Sequence, residues 1–189
     1  MERRDQHTAC DADALVDVIV LRLAVFLDAA LALCEHNDHG AIGLVINRPM
    51  DLKLVDMLRQ MDLENDALDD STPVFWGGPV QPERGFVIHD APGGWDSSMD
   101  VGGELFITTS RDVLEALGSD EGPTRFVVVL GYAGWDEGQL EQEVMDNAWL
   151  NTPVDPQILF QMPPRDRWQA ATRLLGVDIT QLSEGAGHA

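Results

Sequence analysis

Short apolar runs along the chain alternate with stretches rich in Gly, Pro and Asp, and their period changes from strand-like to helix-like and back. Ala41–Asn47 (AIGLVIN) is a compact, β-branched run that predicts a buried strand ended by Pro49. Val74–Trp76, Phe86–His89 and Phe126–Leu130 (FVVVL) predict further strands, the last so apolar that it belongs at the centre of a sheet. Gly102-Gly103 lies between the extended runs Ser98–Val101 and Glu104–Thr108, a two-residue hairpin signal. Pro153 and Pro156 precede Ile158–Phe160, read as a short strand. Four segments carry helical signals. Asp51 caps Leu52–Met61, with Leu54, Val55 and Leu58 on one face, and an acidic loop follows to Thr72. Thr109 or Ser110 caps a helix that ends at Gly118, with Asp112 in its dipole-favoured first turn. Asp136 caps a helix with Gln139 at the capping-box position, Leu140, Val144 and Ala148 inward, and Glu137, Glu141 and Asp146 towards water. Asp166–Leu175 is the last helix, stopped by Gly176.

The first third reads differently. Residues 1–13 are polar and expected to be disordered, Leu15–Leu21 suits a strand, and the Ala/Leu-rich stretch Phe26–Leu33 suits a helix. Ala14–Leu33 is apolar enough to raise a membrane span, but Asp17, Arg22 and Asp28 each cost about 2.5–3.5 kcal/mol at mid-bilayer. Those charges also break a signal-peptide core, and Leu33 before Cys34 is too large for a lipoprotein cleavage site. Hairpins and single helices alternate without a βαβ rhythm, which predicts an α+β fold with a mixed or largely antiparallel sheet.

Charge then narrows the function classes. The 189 residues hold 33 Asp and Glu against 12 Lys and Arg, a formal net charge of −21. Every cation but Lys53 is arginine, and they are scattered. Binding to nucleic acid or an anionic membrane rests on clustered cations, so both are unfavourable. Cys10 and Cys34 form no CxxC pair and no disulfide framework, which points to a reducing, cytoplasmic setting.

Several constellations could carry chemistry. Cys34, His36 and His39 crowd possible metal ligands into one strand end, where Cys34 and His36 would share a face. No fourth ligand is selected by spacing, so no metal is expected. His89-Asp90 could orient an imidazole as a base, with Ser97, Ser98 or Ser110 as nucleophile, but no G-x-S-x-G elbow is present. Trp76-Gly77-Gly78-Pro79 lacks the phosphate-loop pattern and reads as a tight turn. Thr109, Ser110 and Arg111 at a helix start could hold a small anion or simply cap it. Tyr132 and Trp135 precede the acidic helix that runs on to Asn147-Ala148-Trp149, a pattern that suits either a partner surface or packing.

Taken together, CEHNDHGAIGLVINRP (34–49), WGGPVQPERGFVIH (76–89), ITTSRDVLEALG (107–118), LGYAGWDEGQLEQEVMDNAWL (130–150), LFQMPPRDRWQAATRLLGVD (159–178) and the terminal GHA closely resemble the YqgE/AlgH family of bacterial proteins, from about Leu33 onward. The resemblance implies an α+β fold with a small closed β-barrel in a branched mixed or antiparallel sheet, surrounded by helices. It implies a cytosolic protein of undetermined activity, with one branch linked to regulation of alginate production, and it brings neither a catalytic role nor a cofactor. The motif positions His36, Asn37, Arg84, His89, Thr109, Trp135, Gln139 and Asn147, with Arg111 beside them, are the candidate binding or interaction residues. A regulatory or protein-interaction domain with a protein partner is the preferred expectation. Hydrolase chemistry through His36 or His89, and anion binding at Thr109–Arg111, are the alternatives. Residues 1–32 lack the family's opening strand, so they are set apart as an atypical, frame-shifted or disordered segment from the domain of residues 33–189.

Overall fold

The computed structural model describes residues 17–21 and 29–176, apart from 64 and 66. Expectations for the polar residues 1–13, for Cys10 and for the terminal GHA lie outside the described residues. The described elements run in the order β1 (Asp17–Leu21), β2 (Ala30–Asn37), β3 (Gly40–Val45), β4 (Pro49–Lys53), α1 (Leu54–Gln60), β5 (Pro73–Trp76), β6 (Val80–His89), β7 (Ser98–Gly102), β8 (Leu105–Thr108), α2 (Arg111–Ala116), β9 (Phe126–Trp135), α3 (Gln139–Met145), β10 (Trp149–Pro153), α4 (Pro156–Phe160) and α5 (Pro164–Leu174).

The α+β class holds, and the sheet is branched. Its main path is β10-β1-β2-β3-β9-β6-β8-β7, antiparallel throughout, and β4 and β5 attach through a parallel pairing of β5 with β9. Strand β9, the apolar run expected at the centre, is the fork. Along one edge it pairs with β6 from Phe126 to Tyr132. Its other edge is divided: Val129 and Leu130 pair with β5, and Ala133–Trp135 pair with β3. The sheet curls into a nearly closed, barrel-like form around Leu44, Ile46, Phe86, Ile88, Leu105, Ile107 and Val129. Helices cover the outer faces. The first two, α1 and α2, pack on Val87 and Val128, whereas α3 and Trp149 pack on Leu31, Leu33 and Val45.

The fork depends on glycine. The Gly77 N–H donates to Leu130 O at 2.7 Å while its carbonyl accepts Val45 N at 2.9 Å, so this residue bridges both branches. A Cβ on Gly77 would overlap the Gly131 carbonyl, and one on Gly78 would overlap the Tyr132 carbonyl. Gly131 itself has φ +73°, a left-handed conformation that costs a side chain-bearing residue energy. The Trp76–Pro79 stretch is therefore a site of close backbone approach more than an ordinary tight turn.

Several local expectations need correction. Ala30–Leu33 is strand rather than helix, because pairing with β1 on one edge and β3 on the other outweighs Ala/Leu propensity. Strand β4 occupies Pro49–Lys53, which delays the predicted helix to Leu54. Ile158–Phe160 is helical: Asp155 accepts Gln157 N at 2.8 Å as an N-cap, and Pro156 sits in the first turn. The hairpin turns at Gly103-Glu104, one residue later than predicted, with φ +60° and +61° as a type I′ turn requires. Gly138 stands at the N-cap position of α3, Ala148 lies beyond the helix, and Trp149 begins β10. The closing helix and its Gly176 terminator are as predicted. Its Arg167 is 5% exposed, donates to Met162 O at 3.1 Å and to Ile46 O, and stands 5.0 Å over Phe75. Burial pushes that guanidinium down to about 10.

Gly78→Ala is expected to lower unfolding free energy by about 3 kcal/mol or more, since backbone on the facing strand cannot yield as a side chain would. Gly94→Ala, where nothing lies within 4 Å, is expected to change it little. Urea denaturation of both variants checks the pair.

Candidate functional site

Two concavities flank β6. One, of about 430 Å³, lies between the sheet and the first two helices, with Leu52, Met61, Thr108 and Arg111 in its wall. The other, of about 340 Å³, is the open end of the barrel. Its floor is apolar, built from Ile42, Phe86 and Ile107, and Glu35, Arg84, Ser98, Thr109 and Tyr132 line it. Barrel mouths with an apolar floor and a few polar groups are common ligand sites.

The bulge in β2 shapes this mouth. Leu33 pairs with Gly43 and Glu35 with Ile42, so Cys34 is the extra residue. Cys34 turns into the barrel core, where burial pushes its thiol pKa up, and its Sγ–H donates to Ala32 O at 3.3 Å. After the bulge Glu35 faces the mouth, and His36 turns towards α3, where Nε2 lies 2.6 Å from Glu141. Cys34 and His36 thus occupy opposite faces, contrary to the alternation assumed from sequence. Asn37 closes a local turn: its amide donates to Glu35 at 2.6 Å and its carbonyl accepts His39 N at 2.8 Å. Among the described residues no group of three or more His, Cys, Asp or Glu could hold a metal ion.

Arg84 and Thr109 meet at the mouth. The Arg84 guanidinium stands 5.2 Å over the Phe86 ring, with Gln81 Oε1 at 3.5 Å, and among the described residues no carboxylate lies within ion-pair distance. Arg111 is different: it is paired with Glu115 at 3.1 Å and donates to Met61 O at 3.0 Å. The start of α2 is filled by the chain's own carboxylate, because Asp112 accepts Asp96 N at 2.7 Å and Val113 N at 2.9 Å. Ser110 supplies no side-chain cap and donates instead to Asp96 O and Asp112.

His89 is fully buried, edge-on to Trp95 at 5.0 Å and stacked on Phe106. Burial pushes its pKa down, against smaller opposing pulls from the Ala91 backbone and Asp90, which favours the neutral ring. Its Nε2 contacts Thr108 Oγ1 at 2.8 Å, and Thr108 in turn contacts Ser98 Oγ at 2.5 Å. The imidazole is therefore two hydroxyls from the mouth. Asp90 does not orient it, since that carboxylate binds Arg125 at 2.8 Å, and this partner holds it below its usual pKa range despite partial burial.

Trp135, Gln139 and Asn147 belong to a separate cluster around α3. Both Trp135 Nε1 (3.0 Å) and Trp149 Nε1 (2.7 Å) donate to Glu143 Oε2, and Gln139 Nε2 donates to Oε1 at 2.9 Å. Gln139 Oε1 accepts Asp136 N at 3.1 Å, half of the predicted capping box. The two indoles are buried and pack edge to face, so packing wins over a partner surface here. Asn147 ends the helix at φ +57°. Sequence reasoning missed the role of Glu143, whose i+4 spacing from Gln139 was the available signal. It also missed the parts of Glu35, Ser98 and Tyr132 in the mouth, which only the bulge and the sheet curvature bring together.

Partial burial raises the Glu143 pKa, but the Trp149, Gln139 and Trp135 donors outweigh it and hold it below the ordinary glutamate range. The folded-state value lies below the unfolded one, so the contribution is present above the unfolded pKa and fades as pH falls through the folded one. Glu143→Ala is expected to cost roughly 2–4 kcal/mol at pH 7 by stranding two indole N–H groups. In acid, as pH falls through the folded-state value and the wild-type carboxyl takes up a proton, the gap between the two proteins should narrow. Denaturation at neutral pH and in acid checks the sign.

Comparison with known proteins follows the same lines. The chain is 56% identical over 164 residues to a UPF0301 protein of Thioalkalivibrio sulfidiphilus, covering 87% of this chain and 88% of that one. It is 50% identical over 164 residues to a UPF0301 protein of Methylococcus capsulatus, covering 86% and 87%. The solution structure of the AlgH protein from Pseudomonas aeruginosa matches with a TM-score of 0.77 at 40% identity over 100% of both chains. A crystal structure from Corynebacterium diphtheriae, at 17% identity and TM-score 0.66 over 92% and 89%, shares the fold. The AlgH-like family model spans residues 16–180, beginning earlier than the motifs quoted above. With the forked sheet, the barrel core and the motif segments from residue 34 to 178 inside that span, the chain belongs to the AlgH-like family of uncharacterised proteins.

Proposed function

We propose that this chain is a non-enzymatic, regulatory protein-interaction domain whose contact surface is the open end of the barrel. Arg84 carries the reading. In a chain of formal net charge −21 it faces the mouth without an acidic partner among the described residues. Arg59, Arg111, Arg125 and Arg165 are each matched with a carboxylate of the chain. Such a guanidinium is available to a partner's acceptor. Met99 at the same mouth is 47% exposed and offers an apolar contact beside it, as interface patches do. The groups from which a catalytic site would be assembled are engaged internally: His36 with Glu141, Asp90 with Arg125, Glu143 with two indoles. A reducing compartment, the cytosol, suits the free thiol of Cys34. No helix among the described residues is long and apolar enough to cross a membrane.

A second reading, acyl transfer at Ser98, rests on the Ser98–Thr108–His89 chain, in which neutral His89 could take a proton through Thr108. It lacks a direct base at the serine, so the binding reading is preferred.

A photo-crosslinking residue placed at Met99 is expected to trap one discrete protein in cells, and the same residue at Asp70 is not. Arg84→Glu should weaken the purified pair by about tenfold or more. Equal trapping from both positions, or an unchanged affinity, contradicts the proposal. Fluorophosphonate labelling of Ser98 that His89→Ala abolishes would instead favour acyl transfer.

A further inference from the structure

We infer that the barrel mouth receives the C-terminal residue of a partner polypeptide, with the terminal carboxylate on Arg84 and an apolar side chain on the floor. This rests on the mouth being the contact surface. Three observations select the occupant. First, Arg84 is set over Phe86 rather than pointing freely into water, with no carboxylate of the described chain in reach, so its donor edges suit a planar, singly charged acceptor. Second, the surroundings disfavour anything more negative. Glu35 lines the same mouth, and a phosphate dianion would enter against it and against a chain of net charge −21. Third, the floor of Ile42, Phe86 and Ile107 is apolar, and a cavity of about 340 Å³ has room for one large side chain with its terminal backbone. Ser98, Thr109 and Tyr132, each with a hydroxyl able to donate or accept, line the same mouth beside the place of the last peptide group. A terminal residue brings all three features at once: one carboxylate, one apolar group beside it, and one amide.

The test is an NMR titration of the full chain with three probes: N-acetyl-L-phenylalanine as the mimic of a terminal residue, its C-terminal amide, and phenyl phosphate. The acid is expected to shift the amides of Phe86, Thr109 and Tyr132 saturably, with affinity about tenfold above that of the neutral amide. Arg84→Gln should remove that preference, and Arg84→Lys should restore part of it. Arg84 is exposed, so unchanged spectra elsewhere will report that the variants fold. Equal binding of acid and amide at the mouth overturns the carboxylate anchor while leaving the mouth as contact surface. Tighter binding of phenyl phosphate overturns the choice of anion. Absence of any shift at the mouth with all three probes overturns the inference, and joined to equal trapping from Met99 and Asp70 it removes the contact surface as well.

Discussion

Two branches of the sheet meet on one edge of β9, and they can do so only because no side chain stands between the backbones. Gly77 donates to Leu130 and accepts from Val45, so a single residue ties the β5 branch to β9 and to β3. A Cβ on Gly78 would overlap the Tyr132 carbonyl, and one on Gly131 would overlap the Gly78 carbonyl. Backbone hydrogen bonds made in a dry interior are worth little net but costly to leave unmade. Once the glycines permit the approach, the ladders on both sides of β9 follow, and the curl of the sheet around Leu44, Ile88 and Leu105 follows from those.

That geometry decides where chemistry can occur. The curl brings Ile42, Phe86 and Ile107 around one opening, and the β2 bulge turns Glu35 into it while sending His36 to α3. On the far face the Glu143 carboxylate pins Trp135 at the end of β9 to Trp149 at the start of β10. A charged acceptor shared by two indoles is an expensive group to bury and a strong one once satisfied. It fastens α3 over the sheet and leaves that cluster structural. The mouth, by contrast, keeps a cation whose partner among the described residues is an aromatic ring and a distant amide.

Much of this was legible beforehand. Runs such as FVVVL and AIGLVIN declared their strands because apolar, β-branched residues have few other places to go. The motifs identified the family, and with it the barrel in a branched sheet. What stayed hidden was relational. Ala30–Leu33 has helix-forming composition and becomes strand because β1 and β3 pair with it on its two edges. Ile158–Phe160 becomes helix because Asp155-Pro156 starts one. His89 and Asp90 are adjacent in sequence, yet one faces Thr108 in the core and the other Arg125. Arg84 was marked by its motif, but its lack of an acidic partner shows only when Arg59, Arg111, Arg125 and Arg165 are seen paired with carboxylates.

Native-state hydrogen exchange tests the dependence on the glycine fork most directly. If the approach at Gly77 holds the branches together, the amides of Val45, Gly77 and Val127–Val129 exchange only when the whole chain unfolds and share one protection free energy. Rapid exchange at Val45 and Gly77, with protection persisting at Val127–Val129, would show that the fork opens independently of the barrel and would contradict the account.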